Sequence, residues 1–242
     1  MGSIADNLQA VQTRIAAAAR AAGRDPGGVR LLAVSKTWPA ESVMAAVGCG
    51  QREFGENYVQ EGVDKIARVA SAHVEAGELV WHFIGPLQSN KTRLVAEHFA
   101  WAHSIERLKI AERLSAQRPP MLPPLQVCVQ VNVSGEQSKS GCAPEEALAL
   151  CVAVARLPRL RLRGLMCIPE PTDDVAAQRA AFARLRGLAE ALAVAGLSID
   201  TLSMGMSHDL EAAIAEGATL VRVGTAIFGQ RTPNNPENSP AT

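Results

Sequence analysis

The sequence predicts a single α/β domain of the (β/α)₈ TIM-type barrel class with an extra N-terminal helix. Short apolar, β-branched runs alternate with longer segments of helical periodicity along most of the 242 residues. The apolar runs recur about every 27 residues, close to the roughly 30 residues of a strand–helix–strand unit. Eight such units close naturally into a barrel. An open doubly wound sheet remains the alternative, because spacing alone does not reveal the strand order.

The eight predicted strands are short runs rich in Val, Leu and Ile, and they lie near residues 31–35, 52–54, 79–84, 100–103, 125–131, 160–166, 199–203 and 219–223. Apolar periodicity predicts helices between them, at 39–47, 56–70, 88–97, 105–117, 144–156, 173–195 and 207–216, and the extra helix near 4–22. We expect the barrel to occupy residues 1–229. The stretch 230–242 is polar and rich in Pro and Asn, which predicts a disordered C-terminal tail.

Composition argues against several classes of protein. Lys and Arg number 24, as do Asp and Glu, and this balance argues against a broad electrostatic hold on nucleic acid or an acidic membrane. The longest apolar run, 147–155, is about half of a membrane span. The five cysteines form no C-x-x-C motif, and the first residues do not resemble a secretory signal, so we expect reduced thiols in a cytoplasmic protein. The histidines show no metal-ligand spacing, and no segment predicts self-association, so we expect a monomer without a metal site.

Lys36 is the first candidate for chemistry, because it follows a predicted buried strand directly. Alternation along that strand places Leu32, Val34 and Lys36 on one face. If Leu32 and Val34 fill the barrel interior, Lys36 points into the mouth at the C-terminal ends of the strands, where barrels carry their functional sites. Desolvation there lowers the pKa of an amine and supplies the neutral nucleophile that Schiff-base chemistry needs. From position alone, a solvated lysine at a strand end is an equally good interpretation.

The other four lysines are weaker candidates. Lys65 and Lys109 fall within helical patterns and are predicted to lie on solvated faces. Lys91 stands near the start of the helix after the third strand. Lys139 lies in the loop after the fifth strand, on the functional side of a barrel, where either a secondary ligand contact or an ordinary surface lysine fits the pattern.

Small residues follow the seventh and eighth predicted strands, at 203–207 (SMGMS) and 222–225 (RVGT). They allow close approach of the backbone, and a helix N-terminus offers N–H groups to an anion. In barrels this corner is a frequent phosphate site. The alternative is that Ser207 and Thr225 cap the helices that follow them. Both interpretations stay open at this point.

Two polar side chains are predicted to face the barrel interior. His82 shares its strand parity with Val80 and Ile84, which favours a buried, hydrogen-bonded histidine. Arg222 shares its parity with Leu220 and is expected to point into the barrel mouth. A structural ion pair at the barrel rim is the alternative for Arg222.

Seven motifs occur in order between about Leu31 and Gly229: LLAVSKT, FGENYVQE, WHFIGPLQSNK, QVNVSGEQSKSG, GLMCIP, LSMGMSHDLEAAI and VRVGTAIFG. Together they resemble the family of pyridoxal phosphate homeostasis proteins, whose fold is similar to the N-terminal barrel of alanine racemase. The resemblance implies pyridoxal 5′-phosphate (PLP) as the cofactor. It also implies a role for each of six residues: Lys36 in a Schiff base with PLP, Ser207, Gly224 and Thr225 at the phosphate, Arg222 facing the pyridine nitrogen, and Asn57 beside the ring. His208 falls at a variable position of the motifs.

The resemblance further implies a role in intracellular vitamin B6 homeostasis, in which the protein holds PLP without turning over a substrate and passes it to PLP-dependent apoenzymes. One alternative is a PLP-dependent amino-acid racemase. Two-base racemisation needs an acid or base on the ring face opposite the lysine, and the single tyrosine, Tyr58, falls in a helical pattern. The other alternative is a cofactor-free Schiff-base aldolase, which leaves Arg222 without a role. We therefore expect a carrier rather than an enzyme.

Overall fold

The computed structural model describes residues 2–72, 78–135 and 140–230. Eight parallel strands form a closed barrel in sequence order, and the last strand pairs with the first. The predicted barrel is therefore confirmed, and the doubly wound alternative is wrong. Lys139 and the expected tail beyond Gln230 lie outside the described residues.

The strands are β1 (Arg30–Val34), β2 (Glu53–Glu56), β3 (Val80–Phe83), β4 (Trp101–Ile105), β5 (Leu125–Gln130), β6 (Leu160–Met166), β7 (Thr201–Ser203) and β8 (Leu220–Val223). The helices are α1 (Ile4–Ala21), α2 (Ala40–Gly48), α3 (Val59–Ser71), α4 (Thr92–His98), α5 (Leu108–Gln117), α6 (Pro144–Ala155), α7 (Val175–Val194), α8 (Leu210–Ala215) and α9 (Thr225–Phe228). A single 3₁₀ turn, Pro26–Gly28, leads into β1.

The main errors of the sequence prediction lie at element ends. Strand β2 continues to Glu56 and β4 to Ile105, beyond the predicted ends at 54 and 103. Both strands contain buried polar residues, which interrupt the apolar pattern. Helix α8 begins at Leu210 rather than 207, because Met206 N–H donates to Asp209 Oδ1 (2.6 Å) and forms a turn before the helix.

The extra helix α1 is anchored to the site end of the barrel. Ser3 and Asp6 form a capping box at its start, which satisfies backbone N–H groups that have no helical partner. Farther along the helix, Arg14 binds both carboxylate oxygens of Glu211 in α8 and donates to Ser207 O (3.2 Å). The helix therefore supports the segment after β7 from outside the barrel.

The apolar core of the described residues has three parts. The largest part fills the space between the strands and the helices, Leu32, Val34, Ile84 and Leu220 form a second buried cluster, and Trp101, Cys128 and Met166 form a third. This second cluster contains four of the apolar side chains whose strand parity predicted an interior position. It forms the apolar floor beneath the residues that follow β1, β3 and β8.

None of the helices within the described ranges has both the length and the apolar character of a membrane span. All five cysteines are free thiols. Burial raises the pKa of the Cys128, Cys151 and Cys167 thiols to about 12, so these three stay protonated at neutral pH.

Candidate functional site

A cavity of about 240 Å³ opens at the C-terminal end of the barrel. The six residues assigned a role from the sequence all line it: Lys36, Asn57, Ser207, Arg222, Gly224 and Thr225. They come from the ends of β1, β2, β7 and β8. Four further lining residues were not predicted: Trp38, Ile168, Met206 and His208. Each of the four follows a strand by two to five residues, so their place after strand ends was the available signal.

The hydroxyls of Ser207 and Thr225 do not cap helices. Asp209 is the N-cap residue of α8 and Gly224 that of α9, and no side chain caps either helix. Within the described part of the chain, neither hydroxyl takes part in a hydrogen bond. The capping alternative is therefore wrong, and both hydroxyls are available to a ligand in the cavity.

Two glycines allow the backbone to pack closely on this side of the cavity. A Cβ at Gly224 would lie 3.0 Å from Val34 O, which is tighter than about nine in ten real Cβ contacts. Gly205 has a φ of 93°, a conformation that favours glycine, and a Cβ there would lie 2.6 Å from Ala213 Cβ. Small residues at these positions hold the segments after β7 and β8 close to β1 and α8.

Lys36 lies in a tight turn at the end of β1. Trp38 N–H donates to Ser35 O (3.0 Å) across this turn. Thr37 has a φ of 65°, which is a genuine outlier for a β-branched residue. The strained residue thus follows the candidate nucleophile directly.

Lys65 is buried, which contradicts its predicted solvated position. Its side chain extends from α3, and Nζ donates to Ser35 O (2.8 Å), Glu56 Oε1 (2.7 Å) and Glu61 Oε1 (2.9 Å). Burial raises the pKa of Glu56, and the Lys65 charge opposes that shift. Helical periodicity could not show this environment, because two of the partners come from outside α3. Lys91 and Lys109 are exposed, as expected for Lys109.

Arg222 points into the barrel and is almost fully buried. Its guanidinium donates to Ser203 O (2.6 Å), Ser203 Oγ (2.8 Å) and Cys167 O (2.8 Å). These acceptors are neutral, and none of the ion pairs formed among the described residues includes Arg222. The alternative of a structural ion pair at the barrel rim is therefore wrong. Burial lowers the pKa of Arg222, but a guanidinium still remains protonated at neutral pH.

Two buried histidines continue this network through the barrel. His103 Nδ1 lies 2.9 Å from Ser203 Oγ, and His103 Nε2 lies 2.9 Å from His82 Nδ1. His82 Nε2 is 3.4 Å from Glu53 Oε2, which is long for a hydrogen bond. Arg222 can only donate, so Ser203 Oγ accepts from its guanidinium, and the directions of the two histidine contacts depend on which ring nitrogens carry the protons.

Both histidines of this network, His82 and His103, are neutral at pH 7. Burial lowers the pKa of His82, and burial together with nearby positive charge, including that of Arg222, holds the pKa of His103 well below its usual range. His82 also stacks on Trp101, with ring centres 5.1 Å apart. The predicted buried, hydrogen-bonded His82 is confirmed, and its partner His103 was not predicted.

The family model for the alanine racemase N-terminal domain matches residues 7–232. The chain is also 64% identical to the pyridoxal phosphate homeostasis protein of Pseudomonas aeruginosa, over 96% of this chain and 97% of that protein. The protein of the same name from Escherichia coli K12 is 57% identical, over 96% of this chain and 98% of that protein. The chain belongs to the pyridoxal phosphate homeostasis protein family. The resemblance drawn from the seven motifs is confirmed.

Solved structures of family members share the barrel. PipY of Synechococcus elongatus is 37% identical and covers 94% of this chain, which in turn covers all of PipY. The TM-score is 0.82 against PipY without PLP and 0.80 against PipY with PLP bound. An alanine racemase of Clostridium difficile 630 is 15% identical, with a TM-score of 0.69 over 95% of this chain and 58% of the racemase. That last similarity shows the fold alone.

Proposed function

We propose that this chain binds PLP in the cavity at the barrel mouth and serves intracellular vitamin B6 homeostasis. One observation carries the proposal: six residues assigned to PLP from separate sequence motifs line a single cavity. The names of the curated relatives and the PLP bound to PipY support the same ligand. A cofactor-free aldolase has no comparable support.

The residues in the cavity fit PLP chemically. When bound, PLP supplies an aldehyde carbon that condenses with a primary amine and releases water. Lys36 would hold this carbon, while the hydroxyls of Ser207 and Thr225 and the backbone at Gly224 would hold the phosphate. The Asn57 side chain would lie beside the ring. Asn57 Oδ1 is buried and has no hydrogen-bond partner among the described residues, which agrees with a position against a ligand.

Arg222 favours a carrier over an enzyme. A guanidinium only donates hydrogen bonds, so next to the pyridine nitrogen it would leave that nitrogen unprotonated. An unprotonated ring is a poorer electron sink and stabilises a substrate carbanion less well. Tyr58 is 57% exposed and does not line the cavity. We accordingly propose that the protein is a carrier that holds PLP and passes it to PLP-dependent apoenzymes. We further propose that it is monomeric and cytoplasmic.

Covalent trapping tests the binding site. Adding PLP to the purified protein should produce the absorbance band of a lysine adduct, and borohydride reduction followed by peptide mapping should place the adduct at Lys36. Lys36→Ala should abolish the adduct but retain weaker binding through the phosphate. Lys109→Ala removes an exposed lysine and serves as the matched control. An adduct found mainly at Lys65, Lys91 or Lys139 would overturn the assignment.

A turnover assay separates the carrier from an enzyme. The PLP-loaded protein is incubated with a panel of L-amino acids, and D-isomers, keto acids and carbon dioxide are measured. We expect less than one product molecule per protein molecule. Steady multiple turnover would refute the carrier. If His208→Ala then abolished that turnover, the base would be the imidazole at the cavity wall.

A further inference from the structure

Both neighbours of Lys36 are held by one cluster of charged side chains, Lys65, Glu56 and Glu61, which we name the Lys65 cluster. Before Lys36, Ser35 O accepts from Lys65 Nζ (2.8 Å) and Ser35 Oγ donates to Glu56 Oε1 (2.6 Å). After Lys36, the Thr37 N–H donates to Glu61 Oε1. The turn that carries the candidate nucleophile is therefore held on both sides.

The Lys65 cluster lies largely inside the protein. The side chains of Lys65 and Glu56 are almost completely buried, and Glu61 is 31% exposed. Buried ion pairs are weak evidence for stabilisation, because removing the charges from water costs about as much as their attraction returns. A role in geometry explains the cluster better than a role in stability.

The backbone of Thr37, directly after Lys36, has an unusual conformation that the Lys65 cluster holds in place. A non-glycine residue at a φ of 65° persists only where its surroundings determine its conformation, and such residues concentrate at functional sites. Glu61 binds the N–H of this residue, and Lys65 joins Glu61 to the carbonyl of Ser35. Release of either contact would allow the turn to relax and would displace the Cα of Lys36.

We propose that the Lys65 cluster positions Lys36 for its covalent reaction with PLP. Lys65, Glu56 and Glu61 are then positioning residues, because they act on the turn and do not line the cavity. A lysine side chain has four rotatable bonds, and covalent reaction requires the amine within a short range and a narrow angle of the carbon that it attacks. A fixed backbone at Lys36 limits where the amine can go. This inference rests on the proposed function.

The test measures covalent and non-covalent binding separately. Stopped-flow absorbance gives the rate of adduct formation with PLP. Equilibrium dialysis gives the affinity for pyridoxine 5′-phosphate, which carries an alcohol in place of the aldehyde and so cannot react with an amine. Glu61→Ala should slow adduct formation at least tenfold and leave pyridoxine phosphate affinity within twofold of the wild type. A merely structural role would change both quantities together.

Two further variants complete the series. Glu61→Gln keeps an oxygen acceptor for Thr37 N–H and loses only the charge, so it should slow the reaction less than Glu61→Ala. Glu41→Ala breaks the exposed Arg68–Glu41 pair between α2 and α3 and should change neither quantity. If Glu61→Ala does not fold, Glu61→Gln still tests the proposal, with an expected slowing of about threefold.

The proposal is overturned if both Glu61 variants form the adduct at the wild-type rate, or if they lose pyridoxine phosphate affinity in the same proportion. Failure of the proposed function gives a different result. In that case the wild type forms no adduct at Lys36, and the positioning role of the Lys65 cluster falls with it.

Discussion

Removal of the hydroxyl of Ser207 or Thr225 is expected to weaken PLP binding without destabilising the fold. Both hydroxyls line the cavity, and neither forms a hydrogen bond with the described part of the protein, so no intramolecular bond is lost. A hydrogen bond to a charged group contributes about 1–3 kcal/mol. Ser207→Ala and Thr225→Val should therefore each raise the Kd for PLP by roughly 5- to 150-fold.

Parallel titrations with PLP and with pyridoxal, which lacks the phosphate, check this prediction. Pyridoxal should bind the wild type much more weakly than PLP, and its affinity should change little in either variant. Thr13→Val removes an exposed hydroxyl on α1 and is the control. Equal wild-type affinity for pyridoxal and PLP would refute the reasoning. So would a large fall in Tm, because it would show that the hydroxyl stabilises the fold.

Three other perturbations test the surroundings of the cavity. Burial lowers the pKa of His82 and His103, so below about pH 6.5 the unfolded chain binds more protons than the folded protein. The free energy of unfolding should therefore fall with falling pH by up to about 1.4 kcal/mol per pH unit for each histidine. In urea unfolding, His103→Gln should reduce that pH dependence. A Cβ at Gly85 would overlap Asn57 O, so Gly85→Ala should lower stability by about 1–3 kcal/mol in thermal melts and weaken PLP binding. Arg222→Lys puts one compact ammonium where two separate guanidinium nitrogens donate, so it should cost about 1–3 kcal/mol in the same melts, as well as PLP affinity.

The barrel could be predicted because its repeating unit is encoded locally. Most strands are short apolar runs, the helices have their own periodicity, and the strands recur about every 27 residues on average. The predicted ends of β2 and β4 were wrong for a physical reason. Glu56 and His103 are buried polar residues whose partners, Lys65 and Ser203, come from other elements. A local pattern cannot distinguish such a residue from one in a loop.

The candidate site could be predicted in part, and strand parity shows how far. The position of Arg222 in the barrel mouth follows from alternation with Leu220, because the side chains of a strand point to opposite faces in turn. What holds Arg222 there does not follow, because Ser203 and Cys167 belong to other strand ends. The predicted solvated position of Lys65 was wrong for the same reason. A lysine in an amphipathic helix is normally solvated, and the partners that hold Lys65 lie partly outside α3.

The two buried networks lie behind two different groups of the proposed ligand. The Lys65 cluster holds the turn at Lys36, where the aldehyde carbon would bind, and the chain from Ser203 to His82 holds Arg222, where the ring nitrogen would lie. Networks of this kind gain little net stability, because burying polar and charged groups opposes the attraction between them. They do fix side-chain directions, since each donor has a defined acceptor. Under the proposed function, side chains fixed in this way would hold one ligand at several points.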